Sequence, residues 1–233
     1  MAFASTCCPE GIGYAMSDKA TGPWTTKGYI MKPTERTRGN HPGIIDYKGD
    51  SYVFGLNYDL LHLETFDHKE RRSTSVAKMY YNPDGTIQEV PYWQDTKLDQ
   101  IENFNPYRRV EAETMAWGYG LKTGNFEKGG LYVTDIDNDE YLSVRGVDFG
   151  TKGAKKFSVS AACVEKGGKI EIRLDKVDGP IVGVVSVSPT GGMDIYKLMS
   201  CRIKEAKGVH DLYFCFKGEK GKKVFNLDCW EFK

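Results

Sequence analysis

Three carboxylates stand at the two ends of one long segment. Residues 110–233 open Val110-Glu111-Ala112-Glu113 and close on Val224-Phe225-Asn226-Leu227-Asp228 and five further residues. In an extended strand, side chains two apart share a face, so Glu111 and Glu113 are expected to point the same way. Two carboxylates held side by side repel, and a hard cation with oxygen ligands relieves that repulsion. Asp228 could supply a third oxygen if the first and last strands meet. Three solvated carboxylates are the competing reading.

The residues between these ends narrow the choice. Asp137-Asn138-Asp139-Glu140-Tyr141-Leu142, Gly146-Val147-Asp148-Phe149-Gly150, Lys169-Ile170-Glu171-Ile172-Arg173-Leu174-Asp175 and His210-Asp211-Leu212-Tyr213-Phe214 follow in order. With both ends, this set closely resembles a carbohydrate-binding module of family 6. The resemblance implies a β-sandwich of jelly-roll type, a structural calcium ion and one or two sugar-binding clefts. It carries the metal role to Glu111, Glu113 and Asp228, and a sugar-contacting role to Asn226.

Composition bounds the rest. The chain has 233 residues, enough for one or two domains with a real core. Its 32 basic and 32 acidic residues cancel, so no global field favours nucleic acid or an anionic membrane. The run Lys217 to Lys223 is punctuated by Gly and Glu and reads as a solvated hairpin tip. No apolar stretch approaches the ~20 residues that span a bilayer. The opening Met1-Ala2-Phe3-Ala4-Ser5-Thr6-Cys7-Cys8 has neither the charged nor the apolar region of a signal peptide, and reads as a start in mid-strand. Six cysteines show no disulfide or zinc spacing; Cys163, Cys201, Cys215 and Cys229 sit in apolar strand contexts that suit buried thiols.

Strand signals dominate the first 95 residues. Phe3 to Thr6, Gly11 to Met16, Trp24 to Ile30, Gly43 to Tyr47, Tyr52 to Asn57 and Ser73 to Tyr81 are short β-branched or aromatic runs. Turn-forming clusters such as Lys48-Gly49-Asp50 and Asn82-Pro83-Asp84-Gly85 separate them. Asp59 to Lys69 lacks such a run and reads as a loop. Evenly spaced units of about 50 residues point to propeller blades, of which residues 1–95 would make nearly two. A polar stretch over 96–106 reads as a linker. Residues 107–233 give about nine strands, as a sandwich requires. The expected fold is all-β: a partial five-bladed β-propeller of about two blades, then a β-sandwich.

Gly11-Ile12-Gly13-Tyr14-Ala15-Met16-Ser17-Asp18 and Thr21-Gly22-Pro23-Trp24 lack the third glycine and the helix of a dinucleotide site. With Gly39-Asn40-His41-Pro42-Gly43-Ile44, Tyr52-Val53-Phe54 and Tyr81-Asn82-Pro83-Asp84-Gly85, they resemble the last two blades of a glycoside hydrolase of family 43. The resemblance implies inverting action on arabinose- and xylose-containing plant cell-wall polysaccharides. It places His41 beneath the sugar at the propeller centre and lets Arg72 reach the substrate, with a surface salt bridge as the equal alternative. It sets Glu10 at the cleft rim.

Inversion needs one carboxylic acid to protonate the leaving oxygen and one carboxylate to activate water on the opposite side. No residue matches either family position or the family's pKa-tuning aspartate; Asp46 and Asp50 flank a hairpin turn and Glu35 lies in a polar loop. The chain is therefore expected to be a fragment of an extracellular or periplasmic enzyme, inactive alone and prone to associate through exposed propeller faces. A non-catalytic carbohydrate-binding protein is the alternative, and a module serving only as a structural brace is a third reading.

Sugar binding in such modules uses aromatic rings that cover the apolar faces of pyranose rings. At the family's two sandwiching positions this chain has Asp135 and Met193. Trp117, Tyr119, Tyr132 and Tyr196 are near enough in sequence to substitute, against the plainer reading of core or incidental surface. Asp135-Ile136-Asp137-Asn138-Asp139 mimics the start of a calcium loop but lacks its later Gly and Glu, and reads as a turn.

Overall fold

Alternation of apolar and polar residues sends every second side chain to one face of a strand, and burying those faces builds the molecule. The structure, a computed structural model, describes residues 2–4, 10–34, 40–57, 73–93 and 98–233. The expectations for the loop Asp59 to Lys69, for Arg72, for Glu35 and for Cys7 and Cys8 lie outside the described residues. Those residues form seventeen strands and no α-helix, divided between a unit of residues 1–99 and a unit of residues 100–233.

In the first unit, β1 (Ala2–Ala4), β2 (Ile12–Met16) and β3 (Thr25–Met31) make one antiparallel sheet. A second consists of β4 (Gly43–Tyr47), β5 (Asp50–Asn57) and β6 (Ser73–Met79). Neither sheet closes on itself. Lys48 and Gly49 both take positive φ, 53° and 86°, and so form the two-residue turn whose twist suits a hairpin. Ile12, Tyr14, Ile30, Met31, Val53, Ala77, Met79, Val90, Tyr92 and Trp93 bury one common core. By contrast, every residue of β4 is exposed.

The second unit is a sandwich. Its strands are β7 (Val110–Glu111), β8 (Trp117–Tyr119), β9 (Lys122–Asn125), β10 (Leu131–Thr134), β11 (Tyr141–Asp148) and β12 (Lys156–Cys163). They continue as β13 (Gly168–Leu174), β14 (Ile181–Val187), β15 (Gly192–Arg202), β16 (Val209–Lys217) and β17 (Asn226–Phe232). One sheet runs β15-β12-β17-β10-β9 with β7 added to β17; the other runs β14-β13-β16-β11-β8. Ile170, Ile172 and Leu174 of β13 and Leu212, Phe214 and Phe216 of β16 point inward, while Lys169, Glu171, Arg173 and Tyr213 alternate outward. Phe157, Phe214, Trp230 and Phe232 interlock at the centre, with Phe157 and Phe232 ring centroids 4.9 Å apart. Each buried ring of this kind contributes about 1.5–3 kcal/mol.

Two expectations need correction. The linker reading of 96–106 fails from Gln100 onward: Phe104 donates to Gly146 O (2.7 Å), accepts from Asp148 N (2.9 Å) and packs 6.0 Å from the Trp230 ring. An apolar ring beside an open core outweighed the polar composition around it. The run Lys217 to Lys223 is not a hairpin tip, because β16 and β17 belong to different sheets. It is a crossing turn, with Lys222 N bonded to Glu219 O at 3.2 Å. Within Asp135–Asp139, read from the sequence as a turn, Asn138 and Asp139 form one, and Gly221 N bonds to Asp137 Oδ1 (2.8 Å).

Candidate functional site

Where β9 turns into β10, Phe126 N bonds to Gly130 O and Gly129 N to Phe126 O, which projects the Phe126 ring from a tight polar turn. Tyr132 lies on β10 opposite Gly124. A Cβ at Gly124 would sit 2.3 Å from Cζ of Tyr132, so the ring lies flat on the glycine backbone and no larger residue fits there. Tyr196 enters from β15. The three rings form a triangle: Phe126–Tyr132 4.9 Å, Phe126–Tyr196 5.4 Å and Tyr132–Tyr196 6.2 Å between centroids. With Met193, Asp194 and Lys128 they line an open cleft of about 510 Å³. Burial pushes the Tyr196 phenol well above its usual range.

Asn226 braces this cleft from below. It is 4% exposed; its Nδ2 donates to Met193 O (2.9 Å) and its Oδ1 accepts from Thr134 Oγ1 (2.7 Å). The amide thus fixes the start of β15, which carries Met193, rather than presenting itself at the surface. Asp135 is held by Lys122 (2.9 Å) and by Lys223. Those two lysines hold its carboxyl below the usual carboxylate range.

Trp117 does not join the triangle. It lies on β8, at the edge of the other sheet, paired with Ser143 and 42% exposed. That sheet's outer face carries a separate row: Tyr119 stacks on Tyr141 (5.7 Å, 16°), and Tyr141 stands 6.0 Å from Tyr213. Beside the row, Arg173 holds Glu171 at 2.8 Å. Sequence reasoning missed Phe126, Tyr141 and Tyr213. A lone aromatic in a polar turn, and aromatics at outward positions of alternating strands, were the signals.

At the ends of the sandwich, Glu111 pairs with Cys229 across β7 and β17, and Ala112 N bonds to Asp228 O (2.8 Å). The strands meet as expected. The face-sharing argument for Glu113 does not hold, because β7 stops after Glu111 and Thr114 N turns back to Glu111 O (3.0 Å). Arg109 bridges the two ends, bonding Glu111 through Nε (2.8 Å) and Nη2 (3.0 Å), and Asp228 through Nη2 (3.0 Å). Glu113 Oε2 is buried and, among the described residues, has no hydrogen-bond partner. Among the described residues no three His, Cys, Asp or Glu side chains gather into a ready metal cage. The donor set still suits a hard cation: all three groups are carboxylates, and the orphaned oxygen of Glu113 is one that a cation would satisfy.

In the first unit, Glu10 is half-buried and engages Asn40. Its Oε2 accepts from Asn40 N (2.9 Å) and its carbonyl from Asn40 Nδ2 (3.4 Å). Asn40, fully buried, also accepts from Leu56 N at 3.4 Å and so ties the segment bearing His41 to β5. His41 itself is exposed. Asp46 accepts from Ser51 Oγ (2.6 Å) and Asp50 pairs with Lys78 (2.7 Å), both as hairpin residues. Cys163, Cys201, Cys215 and Cys229 are free thiols, and burial, with Asp228 beside it, pushes Cys229 up to about 12.

Three comparisons bear on this geometry. The model of the family described as carbohydrate binding module (family 6) matches residues 111–233. An arabinoxylan arabinofuranohydrolase of Paenibacillus polymyxa is 38% identical over 96% of the chain and 36% of its own length. A solved glycoside hydrolase family 43 arabinoxylan arabinofuranohydrolase from Bacillus subtilis, in complex with cellotetraose, superposes with a TM-score of 0.88 at 35% identity, over 96% of this chain and 47% of that one. A family 6 carbohydrate-binding module from Clostridium cellulolyticum, in complex with xylose, matches at 35% identity and a TM-score of 0.53, over 56% of this chain and 99% of its own. The chain thus spans between about a third and a half of the enzymes it matches. These likenesses bear out the all-β fold, open blade-like sheets followed by a jelly roll.

Proposed function

We propose a sugar-binding function from one premise: this chain belongs to carbohydrate-binding module family 6 through residues 111–233. The ligand is a plant cell-wall polysaccharide of the arabinoxylan or xylan type. The single observation that carries this reading is the open triangle of Phe126, Tyr132 and Tyr196. Pyranose rings have apolar faces that stack on aromatic rings, and Asp194 and Lys128 at the rim supply hydrogen bonds to hydroxyls. Asn226 positions the Met193 side of the cleft.

The Tyr119–Tyr141–Tyr213 row favours a second reading, binding on the outer sheet face. Titration calorimetry with a soluble xylo-oligosaccharide separates the two. Tyr132→Ala and Tyr196→Ala are each expected to weaken binding about tenfold, the scale of one lost stacking partner. An unchanged affinity in both, with loss in Tyr141→Ala, would move the site to the outer face.

The likeness to arabinoxylan arabinofuranohydrolases supports a wider assignment, the C-terminal portion of a glycosidase that removes arabinose or xylose units outside the cell. Within it His41 contacts substrate, and Asn40 with Glu10 positions His41. No carboxylate pair here has been assigned to the two roles of inversion. Release of nitrophenol from an aryl arabinofuranoside or xyloside by the purified chain would show turnover without one. The exposed face of β4 supports association through the first unit.

We assign a structural calcium ion to the Glu111, Glu113 and Asp228 end of the sandwich. The ion would neutralise carboxylates that the two termini bring together, with the buried Glu113 oxygen as the donor now lacking a partner.

A further inference from the structure

We infer that Arg109 is an internal competitor of that ion: its guanidinium holds Glu111 and Asp228 and must withdraw when calcium binds. The inference rests on the calcium assignment and adds a second state to it. Three hydrogen bonds of 2.8–3.0 Å place one guanidinium on both carboxylates that the two termini contribute. A planar fork matched to carboxylate geometry is a good stand-in for a cation. It is always charged, and Glu111 beside it raises its pKa further. A divalent ion on the same oxygens would face that positive charge across a few ångströms, so the two exclude each other.

The surroundings allow the exchange. The Arg109 side chain is 58% exposed and free to swing into solvent, whereas Asp228 is only 17% exposed. Backbone contacts also join the two ends, since Ala112 N bonds to Asp228 O and Glu111 is in register with Cys229. Among the described residues Glu113 Oε2 has no hydrogen-bond partner, and an ion could offer that oxygen a bond. The end of the sandwich is therefore stapled in both states, by an arginine at low calcium and by the ion at high calcium.

Calcium titration calorimetry on the full chain tests this, comparing the natural protein with Arg109→Met and Arg109→Gln, both checked for native circular dichroism. The expected result is calcium binding on the order of tenfold tighter in both variants, the scale of a lost network of exposed ion pairs. Chelator-treated variants should also melt lower than the chelator-treated natural protein and regain the difference when calcium is added. Calcium binding of equal or lower affinity in both folded variants would overturn the competition and leave the calcium assignment standing. No calcium binding in any of the three proteins would overturn both.

Discussion

The two units solve one problem differently. In the second, two sheets face each other, and the apolar side of each covers the other; Phe157, Phe214, Trp230 and Phe232 are at most 2% exposed. In the first, two three-stranded sheets share a core, yet Ile44, Ile45, Tyr47 and Phe54 remain between 38% and 50% exposed. A sandwich buries its apolar faces against itself, whereas blade-like sheets need further covering surface. The difference teaches that stability and recognition are separable in the second unit, where rings beyond the core are spare, and entangled in the first.

The sharpest break in that comparison is Trp230→Ala. Removing the central ring is expected to cost about 3–5 kcal/mol, read as an early shift of the sandwich transition in denaturant unfolding. A shift under 1 kcal/mol would mean that the two sheets are not held by this core. Smaller is Asn226→Ala, which strands Met193 O and Thr134 Oγ1; it should cost about 1–3 kcal/mol and weaken sugar binding through displacement of the start of β15.

In the first unit, Ile45→Lys touches an exposed position and should change stability by less than about 0.5 kcal/mol while reducing self-association in light scattering. Unaltered association would place the contact elsewhere. The smallest effect concerns acid. Asp135 has a folded-state pKa below its unfolded value, so its contribution is present above the usual carboxylate range and is lost as pH falls through the folded value. Asp135→Asn should lower stability slightly at neutral pH, with the difference from the natural protein vanishing as pH falls through that range.

Much of the architecture was legible from alternation alone. Ser73 to Tyr81 read as a strand and is β6 over Ser73–Met79; Lys169 to Leu174 is nearly all of β13. Contact between the two ends of the sandwich was also legible, because Glu111 and Asp228 sit in strands that pair. The identity of the bridging group was not: Arg109 stands just before its strand and looks like an ordinary surface arginine. The alternation argument for Glu113 failed because a strand of two residues has no period to extend. Among the aromatics, Tyr132 and Tyr196 were found as candidates, yet sequence distance also admitted Trp117, which sheet order sends to the opposite layer. Which strands neighbour one another is set by long-range pairing, and short spacing carries no record of it.

Mapping amide chemical shifts of the isotopically labelled chain during titration with a xylo-oligosaccharide tests the central claim most directly. The account predicts saturable changes centred on Phe126, Tyr132, Met193 and Tyr196. Changes confined to Tyr119, Tyr141 and Tyr213, or none at saturating sugar, would contradict it.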